Sequence, residues 1–279
     1  MKYKSLLLFV LSAPLILLAS CQKNASPLTP SEPQEIVLSL GGDDLALDVK
    51  TKTTAINSLP SSLYLMMKNG TATKMNSTSM PVSSGKIATG LYQTTTPTSY
   101  SYYLSNVAIT AGSSANTGTI SAANDTDVIA GYATNSTASP SVTMEHIFSR
   151  TGSLSLTAPS GYTISGISYK ISSSVANTGT KGTYSLSNKA WSSTTLLSTA
   201  TALTSSSDLY LIPGEYTIAC TYTLTKGDYT QTFTKNATVT LVAGKTCNIS
   251  GVAPTGNAQS ISLSVTLTPW SSQNVTMTF

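Results

Sequence analysis

From Tyr216 to Leu224 every second residue is apolar, with Tyr216, Ile218, Cys220, Tyr222 and Leu224 on one face and three threonines and an alanine on the other. Lys226-Gly227-Asp228 then turns the chain, and Phe233 to Leu241 returns with an alternation of its own. A period of two places one face of a strand against a core and the other against water, and a helix cannot satisfy it. Two such runs around a glycine-bearing turn form a hairpin. Further candidate strands occur at residues 62–68, 88–93, 100–109, 127–133, 142–156, 162–171, 182–186, 208–211 and 246–249. Asn69-Gly70, Ser84-Gly85 and Asn124-Asp125 punctuate them as turn residues do. Residues 191–207 follow neither period and read as loop. No segment beyond the N-terminal apolar run sustains a period of 3.6, so helix is minor.

Many short strands between turns indicate packed antiparallel sheets. The turn Ala158-Pro159-Ser160-Gly161 divides the series. The expected organisation is two successive β-sandwich domains, residues 35–157 and 158–279. Composition agrees: serine and threonine make up roughly a third of the chain, far above ordinary usage. Only 9% of residues are charged and 40% are hydrophobic, which excludes a disordered polyelectrolyte. The net charge of +4 comes from scattered lysines. No basic run interleaves with aromatics, so nucleic acid is not an expected partner.

The N-terminus carries an export signal. Lys2 and Lys4 precede an apolar run from Leu6 to Leu18, and Leu18-Ala19-Ser20-Cys21 closes it. A basic start, a short apolar core and small residues before a cysteine make a lipoprotein signal peptide, residues 1–20. Cys21 is then the lipid-bearing first residue, and acyl chains at roughly 0.8 kcal/mol per buried methylene suffice for anchoring. Residues 21–34, with Pro27, Pro30 and Pro33, read as a flexible stalk. Two short alternating segments follow, Ile36-Leu38-Leu40 and Leu45-Leu47-Val49, around Gly41-Gly42-Asp43-Asp44.

Acid–base catalysis requires groups of tunable acidity, and the chain has few. His146 is the only histidine, and its mid-strand position reads as structural. Glu145 and Arg150 flank it as an expected surface pair. No Gly-x-Ser-x-Gly elbow and no phosphate-binding glycine loop occurs. The reading is therefore a non-enzyme with no catalytic residues, no cofactor and no metal. Asp43, Asp44 and Asp48 lack a calcium-loop motif around them. Cys220 and Cys247 lie in neighbouring expected strands, where an oxidising compartment allows a disulfide. Two buried free thiols are the equal alternative.

The C-terminus alternates almost to its last residue. Ile261, Leu263, Val265 and Leu267 interleave with hydroxyl residues, and Val275, Met277 and Phe279 resume after Pro269-Trp270. Such a strand needs a sheet to bury its face, either in its own domain or in a neighbouring subunit by strand addition.

Together these features resemble the fimbrillin family of Bacteroidia, the Mfa-like lipoproteins that build type V pili. The resemblance rests on the lipobox and stalk and on Lys50-Thr51-Lys52-Thr53-Thr54-Ala55, which is similar to the family's Thr-Arg-Ala-like segment. It rests also on the aromatic run Tyr100 to Tyr103, on Asp127-Val128-Ile129-Ala130, and on residues 142–150. The resemblance implies two transthyretin-like β-sandwich domains and an outer-membrane, cell-surface or fimbrial location. It implies assembly with other pilin subunits after proteolysis removes the first strand. Here the removed segment is residues 35–49 and the cut follows Lys50 or Lys52. The C-terminal alternating residues are the donor strand that refills the groove, and a host or bacterial surface ligand is an expected partner. The family's known members are cut at arginine, whereas the single arginine here is Arg150. That departure leaves a lipid-retaining anchor subunit as an alternative. A monomeric surface binder is the other, with Tyr100, Tyr102, Tyr103, Trp191 and Tyr210 as glycan-stacking platforms.

Overall fold

A computed structural model describes residues 33–41, 59–93, 98–114, 117–204, 209–255 and 261–269. Nineteen strands and no helix occur among them, so the protein is all-β with packed sheets.

The largest sheet has seven strands. Its order is β3 (Ala72–Pro81), β2 (Ser62–Asn69), β5 (Tyr100–Ser105), β8 (Ile129–Asn135), β9 (Ser141–His146), β1 (Gln34–Gly41) and β4 (Lys86–Gln93). Ile36 and Leu38 of β1, Ile87 of β4, Leu65 of β2 and Leu104 of β5 all enter one buried cluster. Strands from both ends of the sheet feed the same core, so the sheet folds over on itself.

Two four-stranded sheets form a sandwich. One runs β15 (Tyr210–Leu211), β10 (Ser149–Thr157), β18 (Lys245–Val252), β19 (Leu263–Pro269). The other runs β14 (Thr201–Leu203), β11 (Thr163–Ser172), β16 (Gly214–Lys226), β17 (Tyr229–Leu241). Leu154, Leu156, Cys247 and Ile249 from the first share a core with Ile171, Ile218, Tyr222 and Val239 from the second. The β16–β17 hairpin pairs without a register shift from Gly214↔Leu241 to Lys226↔Tyr229. On its outer face Thr221 and Thr234, and Thr223 and Thr232, share hydroxyl hydrogen bonds of 2.9 Å.

The fourth sheet is β13 (Ala190–Thr195), β12 (Lys181–Ser185), β7 (Gly118–Ala123), β6 (Thr110–Ala111). Its Ile120 and Tyr184 join Met66, Tyr103 and Phe148 in a third cluster. This covers the second face of β2 and β5, whose Met66, Met67, Tyr102 and Tyr103 are all wholly buried.

Two local expectations change. Residues 142–156, which read as one strand, form β9 and β10 with a break at Ile147 and Phe148. Both of those consecutive residues are buried, which one strand face cannot achieve, and the chain leaves one sheet for another there. Residues 191–207, which read as loop, supply most of β13 and all of β14. Their side chains are largely exposed, so neither strand carries an apolar alternation to betray it.

Candidate functional site

Strand β1 lies inside the seven-stranded sheet rather than at its edge. On one side it pairs antiparallel with β4, through Val37↔Ala88, Leu38↔Ile87 and Ser39↔Lys86. On the other it runs parallel to β9, through Ser39↔Ser141, Leu40↔Val142 and Gly41↔Thr143. Two further backbone bonds lace it to the segment before β9: Val37 N–H donates to Ala138 O and Ser39 N–H to Pro140 O, both at 2.9 Å.

The alternation Ile36, Leu38, Leu40 places the first two wholly in the core and the third half-buried against it. Burying one large aliphatic side chain contributes roughly 1.5–3 kcal/mol, so Ile36 and Leu38 account for most of the hold on this strand. Its start is pinned by a bulge. The register shifts between Glu35 and Val37, and on β4 Gly90 takes a positive φ of 68°. A glycine there avoids the strain a side chain would carry. Gly90 N–H donates to the Glu35 carboxylate at 2.9 Å, and the Thr89 hydroxyl donates to Ile36 O at 2.8 Å. Taking β1 away would leave a slot bordered by β4 and β9, with two vacated side-chain sites and unpaired backbone on both walls.

Of the sequence-assigned residues, Cys21, Lys50, Lys52, Val275, Met277 and Phe279 lie outside the described residues, as does the segment Leu45-Leu47-Val49. Ile261 is buried and Leu263, Val265 and Leu267 lie in or beside β19, which pairs antiparallel with β18 from Lys245↔Pro269 to Gly251↔Leu263. These four therefore sit in the chain's own sandwich, though Leu267 stays 42% exposed. Cys220 and Cys247 are both buried free thiols. Burial pushes the Cys220 thiol up to about 11 and raises that of Cys247 as well.

His146 is buried, its Nδ1 3.0 and 3.1 Å from the two oxygens of Asp127, with both side chains wholly out of solvent. Glu145 pairs with Lys189 at 2.7 Å, not with Arg150, because Lys189 in the turn after β12 faces the same side of β9. Arg150 Nε instead donates to the Thr246 hydroxyl. The proposed stacking platforms are core residues: Tyr102, Tyr103 and Tyr210 are buried, and the half-buried Trp191 packs 5.0 Å from Phe148 and 5.2 Å from Tyr184. Among the described residues no group of three or more His, Cys, Asp or Glu side chains could hold a metal ion.

No protein-family profile matches the chain, and no curated protein sequence matches it. Solved structures do. A protein of Parabacteroides distasonis whose given name assigns it to cell adhesion superposes with a TM-score of 0.50 and 9% identity, over 85% of this chain and all (100%) of that one. One of Bacteroides uniformis, named likewise, gives 0.48 and 14%, over 85% and 98%. A fimbrial assembly protein of Parabacteroides distasonis gives 0.36 and 11%, over 85% and 99%. At 9% identity the likeness to the first of these concerns the fold alone.

Proposed function

We propose that this chain is exported as a lipoprotein and serves as a structural fimbrial subunit, which assembles by exchanging β1 for a strand from a second copy. The observation that carries this reading is the place of β1. It is the leading strand of the described fold, it fills an interior position of its sheet, and Lys50 and Lys52 follow it closely in sequence. A cut after either lysine separates β1 from the rest of the chain without breaking another described strand. The opened slot has a strong gross drive to refill, offset in part by the cost of ordering the incoming strand. A structural neighbour named for cell adhesion supports the reading at the level of fold.

The position of β19 narrows the donor. Because residues 263–269 pair at home with β18, the tail beyond them is the segment left to reach a neighbour. Val275, Met277 and Phe279 repeat the i, i+2, i+4 spacing of Ile36, Leu38 and Leu40. That spacing puts Met277, the middle residue of the three, in the berth of Leu38 between β4 and β9.

One observation favours the anchor alternative. Arg150 sits within β10 and beyond β1, so an arginine-specific protease has no site that releases the leading strand alone. Sequencing the N-terminus of the surface form separates the two readings. A start after Lys50 or Lys52, lost in the Lys50→Gln/Lys52→Gln double variant, supports the polymerising subunit. A lipidated Cys21 on protein at the base of filaments supports the anchor, and a lipidated monomer with no filaments contradicts both.

A further inference from the structure

Strands β8 and β9 pair only from Ile129↔His146 to Gly131↔Met144. Beyond that point β8 continues beside β5 as far as Asn135, whereas the start of β9 runs beside β1. The two strands part, and a cavity of about 270 Å³ opens where they do so. Alternation along β9 sends Val142 and Met144 into the core and turns Ser141, Thr143 and Glu145 outward, toward this cavity. Tyr184, near the end of β12, forms one wall. Glu145 and Lys189 close the rim with an ion pair of 2.7 Å.

We propose that this cavity binds one ring of a neutral saccharide, beyond and independent of the strand exchange described above. The charges argue for neutrality, since the carboxylate and ammonium at the rim cancel and leave no net attraction for either ion. The lining argues for a ligand that both donates and accepts, as vicinal hydroxyls do. Ser141 and Thr143 hydroxyls can do either, Glu145 only accepts and Lys189 only donates. Burial, with the Glu145 charge second, raises the Tyr184 phenol to about 12, so it remains a protonated donor at neutral pH. Size sets the limit: about 270 Å³ lies just under the roughly 300–1,000 Å³ of pockets for drug-sized ligands. The rim pair is about half exposed on both sides, and solvent screening leaves such pairs weak. A sugar can therefore redirect both groups onto its hydroxyls at little cost.

Saturation-transfer NMR on the purified full chain tests this with methyl glycosides of galactose, glucose, mannose and N-acetylglucosamine as probes. The expected result is transfer to at least one neutral glycoside, reduced tenfold or more by Thr143→Trp, which plugs an exposed position of the lining. The unfolding midpoint of that variant should match the parent, and Ser141→Trp replaces it should it fail to fold. No transfer to any glycoside, equal transfer in the folded plugged variant, or preferred binding of acetate or inorganic phosphate would overturn the proposal. Monomeric protein suffices, so the outcome is separate from whether the chain polymerises.

Discussion

Asp127 and His146 meet wholly out of solvent at 3.0 Å, beside the point where β9 gives way to β10. Removing one member of a buried hydrogen-bonded pair takes that bond from the other, at a cost of about 1–3 kcal/mol. Asp127→Ala should therefore lower the unfolding free energy by about that amount, read as a lower urea midpoint at unchanged m-value, and a loss below about 1 kcal/mol would deny the pair its structural role. The two free thiols behave differently. The reactive species is the thiolate, and burial lifts Cys220 from 9.0 to about 11. Native protein at pH 8 should leave both thiols unlabelled by a thiol reagent, with labelling only after denaturation. A folded value above the unfolded one stabilises fully below the unfolded value, and the benefit fades as pH climbs from about 9 to about 11. Stability should fall across that alkaline window, and Cys220→Ala should flatten the fall. His146 was legible as structural because Met144 and Phe148, two positions to either side, are apolar. Its partner was not, since Asp127 lies nineteen positions earlier in the chain.

Edge strands expose unpaired backbone, and proteins guard them with inward-pointing charge. β17 is the last strand of its sheet, and on its inward face Lys235 stands between Phe233 and Ala237 at 7% exposure. Its Nζ lies 5.7 Å from the centre of the Phe233 ring. Ile261 N–H caps part of the same edge by donating to Asn236 O at 3.2 Å. Lys235→Val should keep the fold and convert monomer into larger species on size-exclusion chromatography, and a variant that stays monomeric would show that the edge is guarded otherwise. At this scale the sequence was informative wherever one face met water. Tyr216 to Leu224 and Phe233 to Leu241 carry an unbroken alternation, and they are β16 and β17. The strands β13 and β14 show no alternation because each sends a single large apolar side chain, Trp191 or Leu203, toward a core. The break between β9 and β10 escaped notice because Ile147 and Phe148 prolong an apolar run while serving a different core.

Across the whole molecule the long-range pairings decide the topology, and residue patterns do not announce them. β1 with β9 and β10 with β18 are parallel pairs whose partners lie about a hundred residues apart in sequence. β7 and β12 pair across the turn at Pro159, where no turn or composition signal foretold a shared sheet. The leading strand was legible from Ile36-Leu38-Leu40; its interior berth was not, because periodicity gives a face and never a neighbour. That berth is what makes exchange plausible, since an interior strand leaves two walls for its replacement. It also constrains the replacement, whose apolar side chains must match the spacing of Ile36 and Leu38.

Disulfide trapping in intact surface filaments tests this most directly. With Ile87→Cys on the β4 wall, opposite Leu38, and Met277→Cys on the tail, filaments taken under mild oxidation should run as a covalent ladder on a non-reducing gel and collapse to monomer on reduction. A filament preparation that yields only monomer, with β1 still attached, would contradict the account.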